Sequence, residues 1–191
     1  MTLNGADLMV FVNKDGTLKS IAYATSHQMN VTMNTKDTST KDNGNGMWSN
    51  FEAGLMGWTL QSDNLMSDSA ENGLSMNDLF EIMLLREPVD VAFALQVDLE
   101  DYKDKLDQVF EAPKGGWTPD PNNYYHGKVL VTALNITAPN GEKATASVTL
   151  TGCGNLQKVG NGIQKKAVAA SLSKPVAPAT TTTVETAVKK V

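Results

Sequence analysis

The segment His27–Lys36 alternates with period two, Met29, Val31 and Met33 on one side and Gln28, Asn30, Thr32 and Asn34 on the other. A helix would scatter both sets round its circumference, so the pattern requires a strand with one buried and one wet face. The strand then runs into Lys36–Gly46, which holds no apolar residue and two glycines and reads as a polar loop. Met47–Phe51 and Gly57–Leu60 follow as two short strands, with Trp48 and Trp58 among them.

The rest of the chain repeats this grammar. Asp7–Val12 and Leu18–Ala24 are joined by Asn13-Lys14-Asp15-Gly16, whose Asp-Gly pair suits the positive-φ turn of a hairpin. Ser75 caps a predicted helix over Met76–Leu85, with Asp78 at the capping-box position. Met76, Leu79, Phe80 and Met83 form its expected apolar stripe, and Pro88 its stop. Val89–Val97 alternates again. A second helix is expected at Leu99–Phe110, and Ala112–Asn123, rich in proline and glycine, reads as a loop. Gly127–Thr137 is apolar on both faces over much of its length, which suits a central strand. After the Pro139-Asn140-Gly141 turn, Lys143–Thr151 returns with Ala144, Ala146, Val148 and Leu150 inward and Thr145, Ser147, Thr149 and Thr151 outward. Many strands, short turns and few helices predict a mainly β fold, an antiparallel sandwich or barrel with one packed helix and a second short helix in an insertion over residues 98–123.

Composition divides the chain. Residues 164–191 carry five lysines and one glutamate among alanine, proline and threonine, without periodicity, and read as a flexible tail. Residues 1–163 carry 11 basic and 20 acidic groups, a body that repels phosphate rather than binding it. The first residues, MTLNGADLMVFV, show no basic leader, and no secretory signal or membrane span is expected. One cysteine, Cys153, leaves no internal disulfide.

No catalytic set emerges. His27, His126 and Cys153 stand far apart, without the short ligand spacings of a zinc site, and both histidines read as surface or edge residues. Asp37, Asp42, Asn43 and Asn45 lack calcium-loop spacing and its closing glutamate. The acidic cluster from Asp98 to Glu111 reads as the solvated face of the second helix. The sequons at Asn30 and Asn135 fall inside strands. Trp48, Trp58 and Trp117 read as core or interface aromatics, although three tryptophans on a sandwich could also form a carbohydrate-stacking platform. No metal, no cofactor and no enzymatic activity are expected.

The order of segments adds a further reading. IAYATSHQMNVTMNTKD is followed by TSTKD, a glycine-bearing loop with Trp48, Gly57-Trp58-Thr59, DLFEIMLLREPVDVAF and finally HGKVLVTALNITAPNGEKATASVTLTGCGNL. This series, over roughly residues 5–160, resembles the major tail protein, or tail tube protein, of long-tailed bacteriophages. The tract 98–123 and the tail lie outside the resemblance. It implies a virion protein, made in the host cytoplasm, whose copies form hexameric rings that stack into a tube conducting DNA. It also implies contacts with a tape measure protein, a tail terminator and distal tail or baseplate proteins, with DNA passing unbound and no membrane involved. The inner tube of a contractile injection system shares this architecture and is the alternative within the class. Under the resemblance, Lys36, Asp37, Thr38, Ser39, Thr40, Lys41, Asp42, Asn43, Gly44 and Trp48 become a contact loop between subunits or rings. Gln28, Asn30, Thr32, Asn34, Thr145, Ser147 and Thr149, neutral and hydrophilic, become candidates to face the lumen.

Overall fold

A computed structural model describes Leu3 and residues 5–42, 48–67, 71–96 and 112–163. The expected second helix, the C-terminal tail, Asn43 and Gly44 lie outside the described residues. A 3-10 turn at Gly5–Asp7 leads into β1 (Leu8–Lys14) and β2 (Thr17–Ser20). The long pair β3 (Ala24–Asp37) and β4 (Phe51–Leu65) follows, then α1 (Met76–Leu85), β5 (Val89–Gln96), β6 (Pro119–Thr137) and β7 (Thr145–Val159). The strands form one antiparallel sheet in the order β2-β1-β5-β6-β7-β4-β3.

That order forces the sheet to roll. Its outermost strands, β2 and β3, are joined only by Ile21, Ala22 and Tyr23. Seven flat strands would separate them by about 29 Å, whereas the link spans at most about 14 Å. The sheet therefore curls until its ends approach. Tyr23 takes positive φ at the corner, and its carbonyl accepts a hydrogen bond from Leu65 N at 3.0 Å. Ile21 forms an isolated parallel bridge with Leu74, so the predicted strand Leu18–Ala24 stops at Ser20.

The core fills the roll. Val10, Val12, Leu60, Val91, Val129, Val148 and Leu150 line it from the strands, and α1 adds Met76, Leu79 and Ile82. Phe11, Ala92 and Ala94 pack on the other face of β1 and β5, with Trp117 and Tyr124 partly covering them. The capping box predicted at Ser75 and Asp78 is present. Arg86, in the left-handed conformation, ends the helix before Pro88 is reached. Phe80, expected in the apolar stripe, is instead exposed, and Ile82 takes its place.

Strand lengths depart most from the sequence reading. Of the two short strands expected at Met47–Phe51 and Gly57–Leu60, Met47 lies outside the described residues, and β4 runs unbroken from Phe51 to Leu65, with Gly54 serving close packing rather than a turn. A Cβ at Gly54 would stand 2.7 Å from the Asn34 carbonyl oxygen, beside a register shift between β3 and β4. The expected loop Ala112–Asn123 is strand from Pro119 onward; Pro119 opens β6, where a missing N–H disturbs the ladder least. The Lys143–Thr151 strand begins at Thr145 and continues to Val159, and its inward alternation of Ala146, Val148 and Leu150 holds.

Candidate functional site: a polar sheet face, two open edges and an arm

Cross-strand partners in a sheet share a face. Gln28 pairs with Gln61, Gln61 with Thr149, and Thr149 with Ala133. The adjacent rows are Ser26-Asp63-Ser147-Asn135 and Asn30-Thr59-Thr151-Leu130. The candidate lumen residues of β3 and of β7, read from two distant segments, thus lie on one continuous face of the four strands β3-β4-β7-β6. Thr145 extends the face opposite Thr137, and Thr32 and Asn34 extend it along β3. Its bonds are short-range and neutral: Thr132 Oγ1 lies 2.9 Å from Thr151 Oγ1, and Gln28 Nε2 donates to Asn30 Oδ1 at 3.2 Å. Asp63 is the one charged side chain in the three rows, and it accepts a hydrogen bond from Ser26 Oγ at 2.8 Å. The reverse face carries Leu60, Leu150 and Val131 into the core.

Both sides of this four-stranded stretch are open. Among the described residues no strand pairs with β3 opposite β4. On the other side β5 pairs with β6 only as far as Val129, so Leu130–Thr137 has β7 on one side and no strand on the other. Long unpaired edges are templates for another chain.

Beyond Thr59, β4 leaves β7 and pairs with β3 alone, so the two strands project as an arm. The face of β3 expected to be buried is not. Met29 is partly buried against Leu60, but Val31 is 47% and Met33 51% exposed. Opposite them Met56 and Phe51 are exposed too, and pairing through Thr35–Ala53 and Asp37–Phe51 places all four on one side of the arm. The apolar stripe that fills the core simply runs on past the end of the core.

The far end of the arm is tied where its strands give way to the loop. Thr38 N donates to the Asn50 carbonyl at 2.9 Å, and Asn50 N to Ser39 Oγ at 2.8 Å. Ser39 N donates to Asp37 Oδ1 at 2.8 Å, and the bonds from Ser39 hold the Asp37 carboxyl below its usual range. Lys36 and Asp37 thus belong to strand rather than loop, while Thr40, Lys41 and Asp42 are exposed. Trp48 is 84% exposed, unlike Trp58, which is buried and donates from Nε1 to the Gly154 carbonyl at 3.0 Å. Alternation could have signalled Met56 and Phe51 only if β4 had been recognised as one strand.

His27 stands on the edge strand β3, as the sequence suggested, but its ring does not face water. Its imidazole is largely buried, neither ring nitrogen has a partner, and desolvation lowers its pKa to about 4 against the opposing pull of Asp63. Among the described residues no cluster of His, Cys, Asp or Glu could hold a metal.

A family model described as phage tail tube protein matches residues 2–158. The chain belongs to the phage tail tube protein family. A comparison with curated proteins finds no match. Among solved structures, the fold is similar to the tail of an empty gene transfer agent particle refined with C6 symmetry, with a TM-score of 0.61 and 15% identity. That alignment covers 83% of this chain and 99% of the other. The native gene transfer agent virion gives a TM-score of 0.60 at 13% identity, over 83% and 99%. The SPP1 tail tube gives 0.56 at 9% identity, over 84% and 81%. As a member of this family the chain is a structural protein of the tail, with a mainly antiparallel β fold and a single described helix.

Proposed function

We propose that copies of this tail tube protein join edge to edge into a ring, with the polar face of β3-β4-β7-β6 turned to the lumen. One observation carries this reading: the four-stranded stretch has an unpaired edge at each end, and the two edges run in opposite directions. Rotation about a ring axis preserves strand direction. The β3 of one copy therefore meets Leu130–Thr137 of the next antiparallel, and the joined sheet stays antiparallel throughout. The contact is heterologous, two different surfaces on each copy, which generates rings when the rotation closes.

Six copies, the symmetry of the gene transfer agent tail, give 24 strands. At about 4.8 Å per strand and a tilt of up to about 40°, the wall has a diameter of roughly 37–48 Å, leaving a channel that admits a DNA duplex. Within the three rows Asp63 is the one charge, and Lys36 and Lys128 stand at the margins of the face, so the lining holds few cations for phosphate and DNA passes without specific binding.

The arm with Lys36–Asp42 and Trp48 serves as the contact toward a neighbouring subunit or ring, since among the described residues nothing covers its apolar side. A two-stranded ribbon is at best marginally stable alone. Tape measure, terminator and distal tail proteins are the expected partners at the lumen and tube ends, with synthesis in the host cytoplasm. The body over residues 1–163 is taken as the tube domain and residues 164–191 as an appendage to it.

Electron microscopy of purified protein tests the reading, with rings or tubes expected. A cysteine pair at Ser26 and Asn135 in a Cys153→Ser background should give covalent multimers on oxidation. A protein that stays monomeric at high concentration, with tail partners present, overturns it.

A further inference from the structure

Helix α1 has an apolar flank that the described residues of its own subunit leave exposed. Met76, Leu79 and Ile82 face the core, yet Phe80 is 53% and Leu84 62% exposed, one turn apart on the same side. The helix is oriented by Lys14, which bridges Asp78 and Glu81. Lys14 ends β1, on the far side of β5 from β6. At 100° per residue, Asp78 and Glu81 lie on the flank turned to β1, and Phe80 and Leu84 on the flank turned the other way, toward β6 and its open edge. Next to that flank, at the C-terminal end of the helix, a groove of about 260 Å³ lies between Ile82, Met83, Arg86 and Glu87 and Leu130–Thr132 of β6; Phe80 and Leu84 do not line it.

We infer that α1 is a clamp across the seam between copies, its Phe80–Leu84 flank closing over Val31 and Met33 of the β3 strand that joins from a second copy. The inference rests on the edge-to-edge ring proposed above. Strand direction selects the occupant. An incoming β3 antiparallel to β6 places its later half, Val31–Asp37, at the Leu130 end of the open edge, where the groove lies. Its Val31 and Met33 point to the core side, the side on which α1 sits, because their pairing partners Trp58 and Met56 continue the face of Leu60. Asp37 lies on the same face, two residues beyond Thr35, and the groove offers it Arg86 beside Glu87, so the apolar residues and not the charges select the occupant. Each copy thereby covers two apolar surfaces that the described residues of a single copy leave exposed.

The test pairs Leu84→Cys with Val31→Cys, and separately with Met33→Cys, in the Cys153→Ser background. Assembled tubes are treated with a short bifunctional maleimide. At least one pair should give a ladder of covalent multimers, and the corresponding single-cysteine variants none. Tubes that cross-link through Ser26 and Asn135 but through neither Leu84 pair overturn the clamp and leave the ring standing. Absence of both tubes and Ser26–Asn135 cross-links removes the ring and the clamp with it. As a second measurement, Leu84→Glu should keep the wild-type circular dichroism and melting temperature, because the side chain is exposed in one copy, while raising the concentration needed for assembly by about tenfold or more. Leu84→Met should restore it. A Leu84→Glu protein that assembles at wild-type concentration contradicts the clamp.

Discussion

Trp58 decides how closely β6 and β7 can support β4. Its indole lies across two glycines: a Cβ at Gly152 would come within 2.2 Å of the ring, and one at Gly127 within 2.5 Å. Gly152→Ala should destabilise the monomer by about 1–3 kcal/mol through overpacking, read by urea denaturation at a concentration below assembly. Trp58→Phe in the same background should recover part of that loss. His27 gives the fold a pH dependence. Its folded pKa of about 4 lies below the ordinary 6.5, so between these values the unfolded chain binds the extra proton. Stability is therefore full above pH 6.5 and falls as pH drops toward 4, by up to about 3 kcal/mol. Urea midpoints at pH 7 and pH 5 check this, and His27→Leu should flatten the difference. Neither role was legible in sequence. A glycine beside a strand end reads as a turn residue, and a histidine among polar neighbours reads as exposed, because burial depends on strands far away in the chain.

At the level of elements, local signals were reliable and long-range ones were not. The Ser75-x-x-Asp78 box and the Asp15-Gly16 turn are fixed by neighbours within four residues, and both form as read. Ser75→Ala should cost about 1 kcal/mol, measurable as a fall in melting temperature, because a helix donor loses its acceptor. The apolar side of β3 was legible, but not that it would outrun the core, since alternation reports which residues share a face and not what covers it. The helix stripe misplaced Phe80 for the same reason. The lumen candidates of β3 and β7 were legible as two wet faces; only the register through β4 makes them one. For the arm, deleting Asn43–Gly46, or replacing Lys41 and Asp42 by alanine, should leave melting unchanged and impair polymerisation by sedimentation. Normal tubes from these variants would remove the arm from assembly.

For the whole molecule, the packed core assembles from residues between Leu8 and Ile163. Removing residues 165–191 should leave the melting temperature of the monomer unchanged, by calorimetry at low concentration. The fold class was legible because many short strands with close turns and few helices admit few arrangements. The rolling was not, because it follows from strand order and the three-residue link Ile21–Tyr23 rather than from any residue's character. The four-stranded stretch β3-β4-β7-β6 has one more consequence. With an even number of strands, a seam has the same polarity whether five, six or seven copies close, so hydrogen bonding counts nothing. Copy number becomes a matter of mechanics: it is set by the angle at which one sheet leaves the next, and a side chain wedged at that hinge is a means of changing the bore of the tube.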